Sequence, residues 1–159
     1  MKKILVLAVL AAFNFNCAAQ QQINRDDVLA KMELANAYFM KKWPDVGKTI
    51  ITNKERPSNI WTRGVYYEGL MALHEIYPKK EYYQYALDWA DFHQWGFRSG
   101  NETRNADDYD AAQTYIDLYN LQPDHEKLKN TRACMQKFLV TPQNGDWDWI
   151  DAIQMGMPV

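Results

Sequence analysis

Apolar residues recur at helical spacing along most of the chain after residue 25. The pattern predicts a first helix over 26–43, which Pro44 ends because proline has no amide hydrogen to donate. After a loop, further helices are predicted over 61–77, 80–97, 105–121 and 123–140, and a last one from about Trp147. No long stretch alternates as a strand does, so we predict an all-α domain.

Alternate helices in this pattern begin at a regular interval. The second, fourth and sixth start near Trp61, Asn105 and Trp147, which are roughly 45 residues apart, the length of a helical hairpin with its turns. Helices joined by short loops pack antiparallel, so alternate helices point the same way. We therefore expect these three helix starts to lie together at one end of the domain.

The three helix starts share a mixture of aromatic and charged side chains, which suits a carbohydrate site. They contribute Trp61, Arg63, Asp107, Asp108, Trp147, Trp149 and Asp151. The indole rings offer flat apolar faces to sugar rings, and the planar guanidinium of Arg63 fits a substrate carboxylate. Core packing is the competing interpretation for the tryptophans, and solvent exposure is the competing one for Arg63.

Asp151 is the first candidate for a catalytic acid. Burial beside indole rings favours the protonated form of a carboxyl group, which suits a general acid near neutral pH. Of the adjacent pair Asp107 and Asp108, we expect one to stabilise the helix start and the other to face the site. Asp148 is predicted to be a capping acid, and Asp110 a solvated position on the helix surface.

The composition excludes several classes of function. The formal net charge is −2 and no basic residues cluster, which argues against nucleic-acid binding. The three histidines are dispersed, and only Cys134 follows the N-terminal segment, so neither a metal site nor a cofactor is predicted. No glycine-rich phosphate loop and no nucleophile motif occurs.

The N-terminus has the pattern of an export signal. Two lysines precede a short apolar stretch, 4–13, and the small residues Ala18 and Ala19 follow it. We predict a signal peptide over 1–19 and a periplasmic protein, with lipid attachment at Cys17 and a place at the membrane surface as the alternative. No stretch is long and apolar enough to predict a transmembrane segment.

Three motifs together resemble the unsaturated rhamnogalacturonyl hydrolases, which are glycoside hydrolases related to the unsaturated glucuronyl hydrolases. They are Trp-Thr-Arg-Gly-Val-Tyr-Tyr-Glu-Gly-Leu from Trp61, Asn-Ala-Asp-Asp-Tyr from Asn105, and Trp-Asp-Trp-Ile-Asp-Ala-Ile-Gln-Met-Gly-Met-Pro from Trp147. The resemblance implies an (α/α)6 toroid, of which 24–159 supplies about the first three hairpins. A partial domain, truncated at its C-terminus, is therefore expected.

The resemblance also implies a reaction and a substrate. Asp151 is implied as the general acid and base, with Asp107 or Asp108 as a second aspartate. The implied partner is an oligosaccharide that ends in a 4,5-unsaturated uronic acid, such as pectin lyases produce, and the enzyme hydrates its double bond. The alternatives are a non-catalytic helical-repeat module that binds carbohydrate or protein, and a different glycosidase on the same toroid.

Overall fold

The computed structural model describes residues 23–141 and 145–159, so the predicted signal peptide and Cys17 lie outside the described residues. The chain divides into two compact units, Met1–Ala35 and Asn36–Val159. In the described part, no helix combines the length and the apolar character that crossing a membrane requires.

The elements follow one another in nearly the predicted order. They are α1 (Arg25–Lys42), β1 (Ile50–Ile51), β2 (Glu55–Arg56), α2 (Trp61–Ile76), α3 (Lys80–Phe92), α4 (Ala106–Leu121), a 3-10 helix (His125–Leu128), α5 (Lys129–Val140) and α6 (Ala152–Gly156). The two short strands pair antiparallel within the predicted loop, with Ile50 opposite Arg56. Helix α4 packs against both α2 and α6 and is therefore central to Asn36–Val159.

Two helix ends differ from the prediction for visible reasons. Helix α3 ends at Phe92 rather than at residue 97, because Gln94 and Trp95 adopt positive φ angles of 52° and 55° that no α-helix accommodates. Helix α6 begins at Ala152 rather than near Trp147. The indole Nε1 of Trp147 donates to the carbonyl oxygen of Arg104 at 3.2 Å, which fixes that residue in an irregular segment.

Large aromatic side chains form much of the core between α2, α3 and α4. Tyr67, Trp89 and Tyr115 are fully buried. The rings of Tyr67 and Trp89 stack with centroids 4.0 Å apart, and Tyr115 lies 5.7 Å from Trp89. Such rings bury large apolar areas and add favourable ring contacts, so these three residues stabilise the packing of the three helices.

The polar atoms of several aromatic residues are bonded to backbone carbonyl groups of loops. Trp89 donates to Ser58 at 3.1 Å, Tyr115 donates to Gly96 at 3.0 Å, and Tyr109 donates to Thr103. Loop carbonyls have no partner in a helix or sheet, and a buried carbonyl without a donor is costly. The core therefore fixes the loops that lead into α2 and α4.

Helices α2 and α4 approach each other closely at Gly64 and Asp110. A Cβ atom added to Gly64 would lie 2.0 Å from Asp110 Oδ2. The prediction that Asp110 is a solvated surface acid is wrong, because its side chain is fully buried in this contact. Glycine at position 64 lets the carboxyl group fit against the backbone of α2.

We expect Gly64→Ala to destabilise the protein, because the added methyl group would displace the buried Asp110 side chain. Overpacking of this kind costs about 1–3 kcal/mol of unfolding free energy. Gly69→Ala is the matched control in the same helix, since a Cβ at Gly69 meets nothing within 4 Å. That control should be neutral or stabilising by up to about 1 kcal/mol. Urea unfolding of both variants tests this, and equal stabilities would contradict the prediction.

Candidate active site

The adjacent aspartates at the start of α4 have different surroundings. The side-chain amide oxygen of Asn105 accepts a hydrogen bond from the backbone N–H of Asp107 at 3.0 Å and so caps the helix. Neither aspartate is therefore required as the cap. Successive residues on a helix point in different directions, so Asp108 enters the protein interior while Asp107 remains half-buried.

Asp108 is held by two partners. Its Oδ1 lies 2.8 Å from Arg98 Nε, and its Oδ2 accepts a hydrogen bond of 2.6 Å from the Thr103 hydroxyl group. The side chain is fully buried. A buried carboxylate needs such a cation and such donors, so Asp108 anchors the start of α4 to the loop before it.

The pKa of the Asp107 carboxyl group is raised by its surroundings. Burial raises its pKa, Arg98 lowers it, and the negative charges of Asp108 and Asp151 raise it again. The net shift is upward, which favours the protonated form. The effect of Asp151 also shows that two aspartates 44 positions apart in the sequence are close in space.

Asp151 lies immediately before α6 and its side chain is exposed. It makes no capping hydrogen bond to the helix. The sequence predicts a carboxylate buried against indole rings, and the structure differs. Trp147 and Trp149 instead pack against the buried cluster of Ala106, Ala152 and Met155.

The two tryptophans of this segment hold α6 against α4. The ring of Trp147 stacks on Phe138 with centroids 5.3 Å apart, and a Cβ at Gly156 would lie 2.8 Å from the same indole. Trp149 is half-buried. Both residues are thus positioned by packing, and their assignment to substrate binding stays a prediction.

The two candidates at the start of α2 are placed differently. The side chain of Trp61 is 37% exposed, so its ring is open to a ligand. Arg63 is 2% exposed, and its guanidinium carbon lies 4.3 Å from the ring centroid of Trp43 and 5.4 Å from that of Phe39. This position stabilises the packing of aromatic rings by cation–π contact. The role of Arg63 as a substrate contact stays a prediction that its burial does not favour.

Three arginines that lie near aspartates were not predicted from the sequence. Arg98 pairs with Asp108, and the charge of Arg56 on strand β2 acts on Asp107. Arg104 forms a two-pronged bond to Asp146, with Nε donating to Oδ1 at 2.9 Å, and this bond lowers the pKa of Asp146. The predicted helix starts contain an excess of acidic residues. From that excess, the presence of arginines close to them could have been predicted.

Over residues 23–141 and 145–159, no cluster of three or more histidine, cysteine or acidic residues could hold a metal ion. The carboxyl groups that meet at the starts of α4 and α6 are those of Asp107 and Asp151, and the charges of Arg98 and Arg56 act on Asp107. The arrangement can donate and accept protons at an open surface. It also offers a positive charge to an anionic ligand.

Comparisons with known proteins agree with this description. The family model described as Glycosyl Hydrolase Family 88 matches residues 31–159. One solved structure, described as a polysaccharide lyase, superimposes with a TM-score of 0.73 and 27% sequence identity over 84% of this chain. The chain spans 39% of the length of that structure. A search of curated proteins found no match. The predicted fold class is confirmed, since the domain is all-α and forms part of an (α/α)6 toroid.

The different environments of the two aspartates predict different effects on stability. Asp108→Asn removes the charge that pairs with Arg98 and should cost about 3–5 kcal/mol of unfolding free energy. Asp107→Asn removes a charge that burial already disfavours, so a change within about 1 kcal/mol is expected. Chemical denaturation of both variants measures this. If Asp107→Asn were the more damaging, the assignment of the anchoring role to Asp108 would be wrong.

Proposed function

Since the chain belongs to glycosyl hydrolase family 88, we propose that it carries the acid–base groups of a glycoside hydrolase. The proposed substrate is an oligosaccharide from rhamnogalacturonan that ends in a 4,5-unsaturated galacturonic acid. The proposed location of the protein is the periplasm, which it reaches by export. The observation that supports this function best is the pairing of Asp107 with the exposed Asp151 at two neighbouring helix starts.

The proposed reaction begins with a proton transfer from Asp151 to carbon 4 of the unsaturated sugar. The ring oxygen stabilises the cation that forms at carbon 5, and Asp151, now a carboxylate, accepts a proton from the water that adds there. The product is a hemiketal whose ring opens to a ketone at carbon 5. Carbon 1 is then a hemiacetal, which releases the remaining saccharide as an alcohol.

Asp107 is better placed than Asp108 for the second role. The carboxylate of Asp108 is occupied by Arg98 and Thr103, whereas burial and nearby negative charges hold the pKa of Asp107 above its usual range. In its protonated form, which the raised pKa favours, Asp107 can donate a hydrogen bond to a sugar hydroxyl group or to the attacking water. That form also avoids repulsion of the substrate carboxylate.

Arg56 is the proposed contact for that carboxylate. It is half-buried on strand β2, its charge reaches Asp107, and its buried Nε has no acceptor among the described residues. Its terminal nitrogen donates to Asn53 at 3.3 Å, which leaves the Nε side of the guanidinium for a ligand. A charged donor without an acceptor is costly until an anion binds to it.

Replacing Asp151 tests the proposed acid directly. With protein expressed from its complete gene, Asp151→Asn should reduce turnover of an unsaturated galacturonyl-rhamnose substrate by about 10²-fold or more. The assay follows the loss of ultraviolet absorbance of the conjugated double bond. Asp148→Asn is the control, since Asp148 is an exposed acid three residues away. Wild-type turnover in Asp151→Asn would refute the mechanism.

Replacing Arg56 tests the recognition of the uronate. Arg56→Ala should raise KM about tenfold or more with a smaller change in kcat, because a hydrogen bond to a charged group contributes about 1.5–3 kcal/mol. Lys54→Ala is the control, because Lys54 is an exposed cation in the same hairpin. If both variants gave the same KM as the wild type, Arg56 would not contact the substrate.

A polysaccharide lyase is the second candidate, favoured by the lyase whose fold the chain shares. A lyase creates an unsaturated uronic acid, so ultraviolet absorbance would rise when a saturated uronate polymer is supplied. The proposed hydrolase makes absorbance fall with an unsaturated oligosaccharide. Running both substrates in parallel separates the two activities. A glycosidase for saturated sugars would release reducing ends without either change in absorbance.

A non-catalytic binding module is the third alternative, and it would behave differently in the same experiments. It would change no substrate, and its affinity for the oligosaccharide would depend on Trp61 and Trp149 rather than on Asp151. The exposed ring of Trp61 is the observation that favours this alternative.

A further inference from the structure

Asp110 is a buried acid to which the proposed reaction assigns no role. It lies one turn after Asp107 on α4, it is fully buried, and no amide, hydroxyl or cationic side chain among the described residues donates to its carboxylate oxygens. An ionised carboxylate in that position would be strongly destabilising. The backbone N–H of Val65 points toward its carboxyl group, and a proton would provide the further donor that the described side chains do not.

Glu68 on α2 is the facing group. Its Oε1 is also buried without a donor, and its Oε2 accepts a hydrogen bond of 2.9 Å from Gln154 Nε2 on α6. A carboxylic acid can donate to a carboxylate, so one proton held between Asp110 and Glu68 would satisfy oxygens that otherwise lack partners. Burial first, then the contact with Glu68 and the charges of Glu68 and Asp107, raise the pKa of Asp110, in agreement with this geometry.

We propose that Asp110 and Glu68 share one proton near neutral pH and that this hydrogen bond, continued through Gln154, positions α6 against α2 and α4. The two acids are positioning residues and do not touch the substrate. The part of the proposal that concerns Asp151 rests on the proposed function, whereas the shared proton itself does not.

Helix α6 needs such support because it has five residues. A helix that short is unstable by itself. Gln113 on α4 donates through Nε2 to the carbonyl oxygens of Gln154 at 2.8 Å and Met155 at 3.3 Å, which satisfies the far end of α6. Gln154 in turn reaches Glu68 on α2. The position of Asp151, directly before α6, depends on these side chains.

The charges that act on Asp110 are those of Glu68 and Asp107, and both are negative. Asp107 faces Asp110 from the same helix, and Glu68 faces it from α2, where the backbone N–H of Val65 also points toward its carboxyl group. Gln154 and Gln113 from α6 and α4 are neutral. Glu68 also borders a groove of about 520 Å³ with Asp117, Glu75 and His74. Loss of the shared proton would therefore place like charges in contact and weaken the packing of α2 on α4.

Infrared spectroscopy tests the shared proton without any enzyme assay. Wild-type protein at about pH 7 should show the carbonyl stretch of a protonated carboxyl group. Burial also raises the pKa values of Asp107 and Asp117, so their carboxyl groups can contribute to the same band. Asp110→Asn should therefore weaken the band while its amide still donates to Glu68, and Asp88→Asn, an exposed acid on α3, should leave it unchanged. A band of equal intensity in the wild type and in Asp110→Asn overturns the proposal. Absence of the band from the wild type overturns the proposal whether or not the variants fold.

Thermal unfolding provides the pH signature. The folded state keeps a proton that unfolded Asp110 releases in the usual carboxyl range, so unfolding releases a proton and becomes easier as pH rises. The wild-type unfolding temperature should therefore fall from about pH 6 to about pH 9, and that slope should be shallower in Asp110→Asn. Equal slopes would contradict the shared proton.

The positioning role is tested separately, by the kcat and KM of Asp110 variants. Asp110→Ala should reduce kcat with little change in KM. Asp110→Asn should keep a kcat near that of the wild type, because its bond to Glu68 is kept. If the infrared band and the pH slope are found but no protein hydrates the substrate, the shared proton stands and the proposed function fails. If Asp110→Ala retains wild-type kcat, the pair does not position Asp151.

Discussion

The arrangement of the candidate site depends on hydrogen bonds from aromatic side chains to loop carbonyl groups. Trp89, Tyr109, Tyr115 and Trp147 each donate to a backbone oxygen in a loop. Each ring is buried or packed by neighbouring rings, so the donor is fixed in space and its loop with it. Burial of the rings and satisfaction of the loop backbone thus reinforce each other.

The same principle explains how two adjacent acids acquire different roles. The loop carbonyl of Thr103 is held by Tyr109, and the hydroxyl group of Thr103 is thereby kept beside Asp108. With Arg98 on its other oxygen, Asp108 is stabilised as a carboxylate. Asp107 receives no comparable set of donors, and burial raises its pKa. The difference in surroundings between the two acids therefore arises in the loop before the helix.

Periodicity could predict the helices and the proximity of the α4 and α6 starts, since both follow from apolar spacing and short connections. The place of the α2 start beside them stays a prediction. Periodicity could not predict that α6 begins at Ala152, because the bond from Trp147 to the distant Arg104 keeps the preceding residues irregular. The predicted exposure of Asp110 failed because Gly64 on another helix makes room for it. Burial of Arg63 likewise depends on rings of Trp43 and Phe39, residues about 20 positions away.

These failures share a physical cause that bears on the site itself. A helix pattern specifies which residues point inward, but the protonation state of an inward acid depends on what the neighbouring helix places opposite it. Asp108 meets Arg98 in an ion pair, whereas Asp110 meets Glu68 and shares a proton in our proposal. A charged Asp110 would add to the repulsion between Asp107 and Asp151. In the proposed reaction, a neutral Asp110 limits the negative charge near the site, and this favours the approach of an anionic sugar to Asp107 and Asp151.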